Sequence, residues 1–215
     1  MVQSFNLDAV VYYPYVRLVK RELAIPHFMV ATVGDINPDR VKEYGFKGII
    51  FDKDNTLTPP YINTIYPPLQ TTVMRFKELF DDRVVIMSNH AGTRDDPGHK
   101  AAEKIEHDLH IPVLRHTRKK PGGIDAVRAY FNCRPDELIM CGDRVFTDVV
   151  FGNRYGMLTI LTTLLTEKGD NPAARRARRY EIPLMKKWMG NGIRPPPHPR
   201  YHKDICRDIR EKEGF

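Results

Sequence analysis

The stretch Gly48-Ile49-Ile50-Phe51-Asp52-Lys53-Asp54-Asn55-Thr56 decides the fold. A run of β-branched and aromatic residues that stops at an acid reads as a buried parallel strand whose carboxyl end opens into a crevice. In an open α/β sheet, ligands bind in that crevice. Alternation along the strand puts Asp54 on the same side as Asp52. Carboxylates this close repel, so the pair predicts either a bound cation or one carboxyl held protonated. On these residues alone, a solvated acidic turn is the competing explanation.

Outward from Asp52, strand and helix patterns alternate as in a parallel sheet. Strands are expected at 47–51, 83–87, 112–114, 137–141 and 156–165, with helices from Pro67 or Pro68 to Phe80 and at 99–109, 123–131 and 147–155. Three of the expected strands deliver a chemically useful group to their carboxyl end: Asp52, then Ser88-Asn89, then Gly142-Asp143. Lys120 lies in Arg118-Lys119-Lys120-Pro121-Gly122, and Asp148 follows Asp143 in Gly142-Asp143-Arg144-Val145-Phe146-Thr147-Asp148.

Composition bounds the rest. With 215 residues and 41% hydrophobic content, the chain is long enough to bury a real core. Cys133, Cys141 and Cys206 are odd in number and unclustered, which argues against a disulfide framework or a zinc site and favours a reducing compartment. The net charge of +7 is uneven: residues 172–215 hold 12 Lys and Arg against 5 Asp and Glu, whereas the first 171 hold 22 of each. A basic tail on a neutral body suggests an anionic partner, phospholipid or nucleic acid, although solubility alone is a sufficient reason for such a split.

Near the N-terminus, Phe5, Leu7, Val10, Val11, Tyr12, Tyr13, Tyr15, Val16, Leu18 and Val19 precede or flank Arg17, Lys20 and Arg21. This pattern suits a helix lying in a membrane interface or one packed on the protein's own core. Pro14 and Pro26 are expected to bend or end it. No basic region precedes the apolar stretch, so no secretory signal is expected, and Asp8 is foreign to an ordinary transit peptide. Beyond Gly169 the pattern dissolves into Arg175 to Tyr180 and Met185 to Met189, basic residues interleaved with Tyr180 and Trp188. These fit an interface helix or a nucleic-acid groove, and an irregular stretch is expected from Gly190 onward.

Taken in order, the groups around Asp52, Ser88, Lys120 and Asp143 resemble the four motifs of the haloacid dehalogenase phosphatase superfamily over residues 47–165. The resemblance implies a Rossmann-like three-layer α/β sandwich with a mainly parallel five-stranded sheet. It makes Asp52 the nucleophile that forms an aspartyl-phosphate, and Asp54 the acid and base for leaving group and water. It also implies Mg2+ held by Asp52, Asp54 through its carbonyl, and Asp143, with Asp148 aligning a water or Lys120. Ser88 and Asn89 would bind a phosphoryl oxygen, and Lys120, or its rival Lys119, would offset the charge.

Thirty-six positions separate Asp52 from Ser88 and 32 separate Ser88 from Lys120, so the sheet's own helices leave no room for a cap domain. An open site suits a phosphate carried on something large. More narrowly, Ile111 to Gly122, Ser88 to Gly92 and Gly142 to Asp148 look like the fungal and plant mitochondrial phosphatidylglycerophosphate phosphatases. That implies hydrolysis of phosphatidylglycerophosphate to phosphatidylglycerol, a step toward cardiolipin, by a peripheral protein at the matrix face of the mitochondrial inner membrane. An anionic phospholipid membrane is then the expected partner and nucleic acid the less favoured one. The alternative is a protein or nucleic-acid-end phosphatase. Arg115, His116, Arg118 and Arg144 are candidates for the lipid headgroup, His116 equally for a structural role. Capless members often self-associate, so a homo-oligomer is expected. Segments 1–40, 41–168 and 169–215 are expected to be membrane-interface segment, phosphatase core and basic extension.

Overall fold

The apolar runs that mark strands in the sequence form the centre of one sheet in the computed structural model, which describes residues 7–210. β1 (Phe28–Val30), β2 (Gly48–Phe51), β3 (Val84–Ile86), β4 (Leu138–Gly142) and β5 (Leu158–Thr162) are all parallel, in the order β1-β5-β4-β2-β3. Every residue of β2, β4 and β5 is buried. Helices α2 (Pro38–Glu43), α3 (Gln70–Phe80), α4 (Lys100–Leu109), α5 (Ile124–Phe131) and α6 (Val150–Tyr155) connect or cover the strands. The strand order reverses between β2 and β4, so the crevice of an α/β sheet falls beside Asp52. Among the described residues, the segments between the motifs hold the strands β3 and β4, the helices α3, α4 and α5, and short 3-10 turns.

Three elements differ from the sequence reading. Residues 112–114 make a single bridge, Ile86 to Val113, instead of a strand. Pro112 has no N–H to donate, and the run is too short to extend the ladder. The fifth strand is β1, three apolar residues within the expected membrane-interface segment that pair with β5. The helix expected over 147–155 is a π-helical turn, Val145–Val149, followed by α6.

The tail departs most. Pro172–Gly190 is a helix, α7, capped by the Asn171 side chain, which accepts from Ala173 N–H at 2.8 Å. Its Met185, Trp188 and Met189 are buried with Phe146, Val149 and Leu161, and with Val16 of the N-terminal helix α1 (Leu7–Leu18). Pro14 sits inside α1 without ending it. The stretch after Gly190 is irregular as expected, yet it straps onto the body. Ile205 and Cys206 are buried, Ile36 bridges Cys206, and His27 Nε2 faces the Pro196 carbonyl at 2.9 Å. Phe5 lies outside the described residues.

Candidate active site

Parallel pairing brings the chemical groups to one level. Phe51 is in register with Cys141 and Ile86, so Asp52 leaves β2 where Ser88 leaves β3 and Asp143 leaves β4. The Asp52 N–H donates to the Cys141 carbonyl at 2.8 Å, which fixes the backbone of the acid. Lys120 reaches the same place from the loop before α5. Its ammonium lies 2.8 Å from Asp52 Oδ1 and 2.7 Å from Asp148 Oδ1, with no exposed side-chain surface. Burial works against the charged lysine, but Asp148 and Asp52 outweigh it and raise its pKa above the ordinary value. Lys119 pairs instead with Asp95 at 2.6 Å, so the two rival lysines are separated by geometry.

Gly142 makes room for this arrangement: a Cβ there would sit 2.4 Å from Asp148 Oδ2. Asp148, in the π-helical turn, accepts from the Arg144 N–H at 3.0 Å and so folds back toward β4. Oxygens of Asp52, Asp143 and Asp148 lie within 4.8 Å of one another. Burial is the largest influence on Asp143 and pushes its carboxyl well above the usual range; Arg178 opposes this, and Asp52 and Asp148 add to it. Asp52, Asp143 and Asp148 share Lys120 and Arg178, and Arg178 also serves Asp170, so acids outnumber cations in the cluster. Hard oxygen donors at this spacing fit a divalent cation.

Arg178 comes from α7. Its Nε donates to Asp143 Oδ2 at 2.6 Å and its Nη1 to Asp170 Oδ2 at 2.6 Å, with the guanidinium largely buried. One turn further on, Glu181 accepts from Arg144 Nη2 at 2.6 Å and from the Val145 N–H at 3.0 Å. Thus α7 grips both ends of the Asp143-Arg144-Val145 segment. No spacing signal announced Arg178, Glu181 or Asp170. The only hint was a basic run whose members looked solvent-facing.

The loops bearing Ser88 and Lys120 are laced together. His116 Nε2 faces the Ser88 carbonyl at 2.8 Å and its Nδ1 faces the Arg118 carbonyl at 2.7 Å. Asn89 Oδ1 accepts from the Lys120 N–H at 2.7 Å. Ser88 Oγ accepts from the His90 N–H at 3.1 Å, so its own hydroxyl hydrogen is not used in that bond. Burial lowers the His116 pKa.

The other expected site residues have protein partners. Asp54 does not join the acid cluster: its Oδ1 lies 2.7 Å from the ammonium of Lys53, itself buried, and accepts from the Tyr61 N–H at 3.0 Å. Arg115 pairs with Glu106 at 2.8 Å and Arg118 with Asp8 at 2.7 Å. Arg144 is bound by Glu181. His116 is buried between two carbonyls. Of the four headgroup candidates, Arg115 and Arg144 are held in intramolecular ion pairs beside the loops, Arg118 is paired at the surface, and His116 staples the two loops.

A sheet whose strand order reverses beside Asp52, and whose carboxyl edge gathers acids around a buried lysine, is the haloacid dehalogenase type of α/β fold. Within that class the chain belongs to the mitochondrial PGP (phosphatidylglycerophosphate) phosphatase family, whose model matches residues 11–166. It is 41% identical over 198 residues to phosphatidylglycerophosphate phosphatase 1, chloroplastic/mitochondrial, of Arabidopsis thaliana, covering 91% of this chain and 57% of the relative. It is 43% identical over 180 residues to the chloroplastic phosphatidylglycerophosphate phosphatase 1 of Chlamydomonas reinhardtii, covering 83% and 67%. A probable phosphatase of Bacillus subtilis is 32% identical over 143 residues, 66% of this chain and 78% of the relative. The chain thus spans about three fifths to two thirds of the two plant-lineage relatives. Helix α7, which supplies Arg178 and Glu181, lies beyond the residues that the family model matches.

Proposed function

We propose that this chain is a Mg2+-dependent phosphatase that converts phosphatidylglycerophosphate to phosphatidylglycerol. Its place would be the matrix side of the mitochondrial inner membrane, bound peripherally to anionic phospholipid and self-associated. Family membership supports the reaction, and the names of the relatives support the substrate and the organelle. Among the described residues no helix is long and apolar enough to cross a membrane, which agrees with a peripheral mode. The observation that carries the mechanism is the Asp52 carboxylate, fixed at the strand end by its own backbone and by Lys120.

Asp52 would attack phosphorus, breaking the bond to the glycerol oxygen and forming an aspartyl-phosphate. Asp54, 42% exposed and held through one oxygen, would give a proton to the departing alkoxide. It would then take a proton from the water that attacks the phosphoenzyme, releasing phosphate and restoring Asp52. Ser88 would donate its hydroxyl hydrogen to a phosphoryl oxygen, and Lys120 would offset the charge that nucleophile and phosphate share. When bound to Asp52, Asp143 and Asp148, Mg2+ would neutralise the remaining charge on the phosphoryl group.

Phosphate release should be measured across phospholipid, nucleotide, sugar and peptide phosphates, with and without liposomes. Strong release only from lipid phosphates is expected. Equal or greater release from a phosphopeptide or a nucleic acid end would replace the lipid reading with the alternative.

A further inference from the structure

Helix α1 presents opposite characters on its two faces. Inward, Val16 is fully buried, Tyr13 meets Phe146 edge-on at 5.0 Å, and the Arg154 guanidinium lies over Tyr12 at 4.2 Å. Outward, Val10, Val11, Pro14, Tyr15 and Leu18 fall at spacings that share one helical face, and Val19 extends it. Val11, Leu18 and Val19 are 69%, 72% and 62% exposed. Five of the eleven exposed large hydrophobic or aromatic side chains of the described chain lie within these ten residues. Scattered apolar exposure needs no explanation; this concentration does.

Cations rim the stripe. Arg17, Lys20 and Arg21 are exposed at the end of α1. Arg17 Nη1 donates to the Tyr180 hydroxyl at 2.8 Å, and Tyr13 also meets that hydroxyl, so α7 lies alongside. Arg176, one turn before Tyr180, and Arg179 belong to the same helix. Both arginines are exposed, and neither has an acidic partner among the described residues. The site is adjacent. Asp8, in the first turn of α1, binds Arg118, two residues before Lys120, while Tyr13 packs on Phe146 behind Asp143. An apolar stripe rimmed by cations is the chemistry of a helix lying in the headgroup region of an anionic bilayer.

We propose that the Val10–Val19 stripe docks the chain on an anionic phospholipid bilayer and so turns the Asp52 crevice toward phosphate groups at the membrane surface. The orientation rests on the lipid phosphatase reading; the docking face rests on α1 itself.

The test is co-sedimentation of the full chain with vesicles of phosphatidylcholine alone and of phosphatidylcholine mixed with phosphatidylglycerol. The parent should partition onto the mixed vesicles and be weakened by salt. The double variant Val11→Asp, Leu18→Asp should lose about tenfold in partitioning, while its thermal midpoint and its hydrolysis of detergent-solubilised phosphatidylglycerophosphate stay those of the parent. Equal vesicle binding by parent and variant overturns the proposal. So does a parent dimer that the variant dissociates with no change in vesicle binding, because a second copy then covers the face. Vesicle binding through the stripe with no phosphate released from the lipid defeats the functional reading and leaves the surface standing. Hydrolysis in detergent without vesicle capture does the reverse.

Discussion

The carboxyl edge of the sheet and helix α7 meet at Asp143 but contribute in different ways. The edge supplies the groups that would touch phosphorus: Asp52, Ser88, Lys120 and the acids around them, each placed by a strand end or its loop. Helix α7 holds what the edge presents. Arg178 binds one oxygen of Asp143, and Glu181 binds Arg144 and the Val145 N–H. The sheet alone would leave Asp143 buried among like charges, a costly state for any carboxylate. The contrast teaches that part of the basic tail is internal wiring. Arg178 answers Asp143 and Asp170, and Arg200 answers Asp136 and Glu137.

Substitution separates the two regions, beginning with the largest effect. Asp52→Asn should cost ~10⁴-fold or more in turnover while leaving the thermal midpoint unchanged or raised, since one repelling charge is gone. A comparable loss of stability would mean that the edge is mainly structural. Arg178→Ala removes the cation between two buried acids. It should cost about 3 kcal/mol in denaturant unfolding, and added Mg2+ should recover part of that loss by offsetting the charge on Asp143. Arg178→Lys should rescue only partly, because an ammonium lacks the guanidinium fork. If Arg178→Ala is as stable as the parent, α7 is a passenger rather than a brace. Truncating Trp188 to Ala tests the packing of the same helix alone and should cost ~3 kcal/mol, with the midpoint falling but no recovery by Mg2+.

The edge was legible because β-branched runs that stop at an acid are a local signal, and several such stops occurred in order. The proline after Lys120 favoured it over Lys119 in the sequence, and in three dimensions Asp95 binds one lysine and Asp52 the other. Neither the buried contacts of α7 nor the strand β1 was legible. β1 is three residues long, and its pairing with β5 joins Phe28 to Ile160, far apart in sequence. In α7, the buried Arg178 carries the same letter as its solvated neighbours Arg176 and Arg179. Only the partner, 35 residues earlier for Arg178, tells them apart. The ion pair of Arg144 was hidden for a related reason: its partner Glu181 lies 37 positions further along the chain.

An effect of similar size should appear with pH at the strap beyond α7. Burial, chiefly, holds the His27 pKa at about 4 against an ordinary value of 6.5. The unfolded chain therefore binds the proton more readily between those values. Stability is complete above pH 6.5 and falls as the pH drops toward 4, by up to about 3 kcal/mol from this residue. Unfolding followed between pH 7 and 4 should show this slope, and His27→Gln should flatten it. An unaltered slope in the variant would place the pH dependence elsewhere.

The most direct test is acid-quenched phosphoenzyme formation with phosphatidylglycerophosphate labelled in its terminal phosphate. Label bound to the parent chain, absent from Asp52→Asn and accumulating in Asp54→Asn, is the predicted result. Turnover without any protein-bound label, or label retained by Asp52→Asn, would contradict the assignment of Asp52 as the nucleophile.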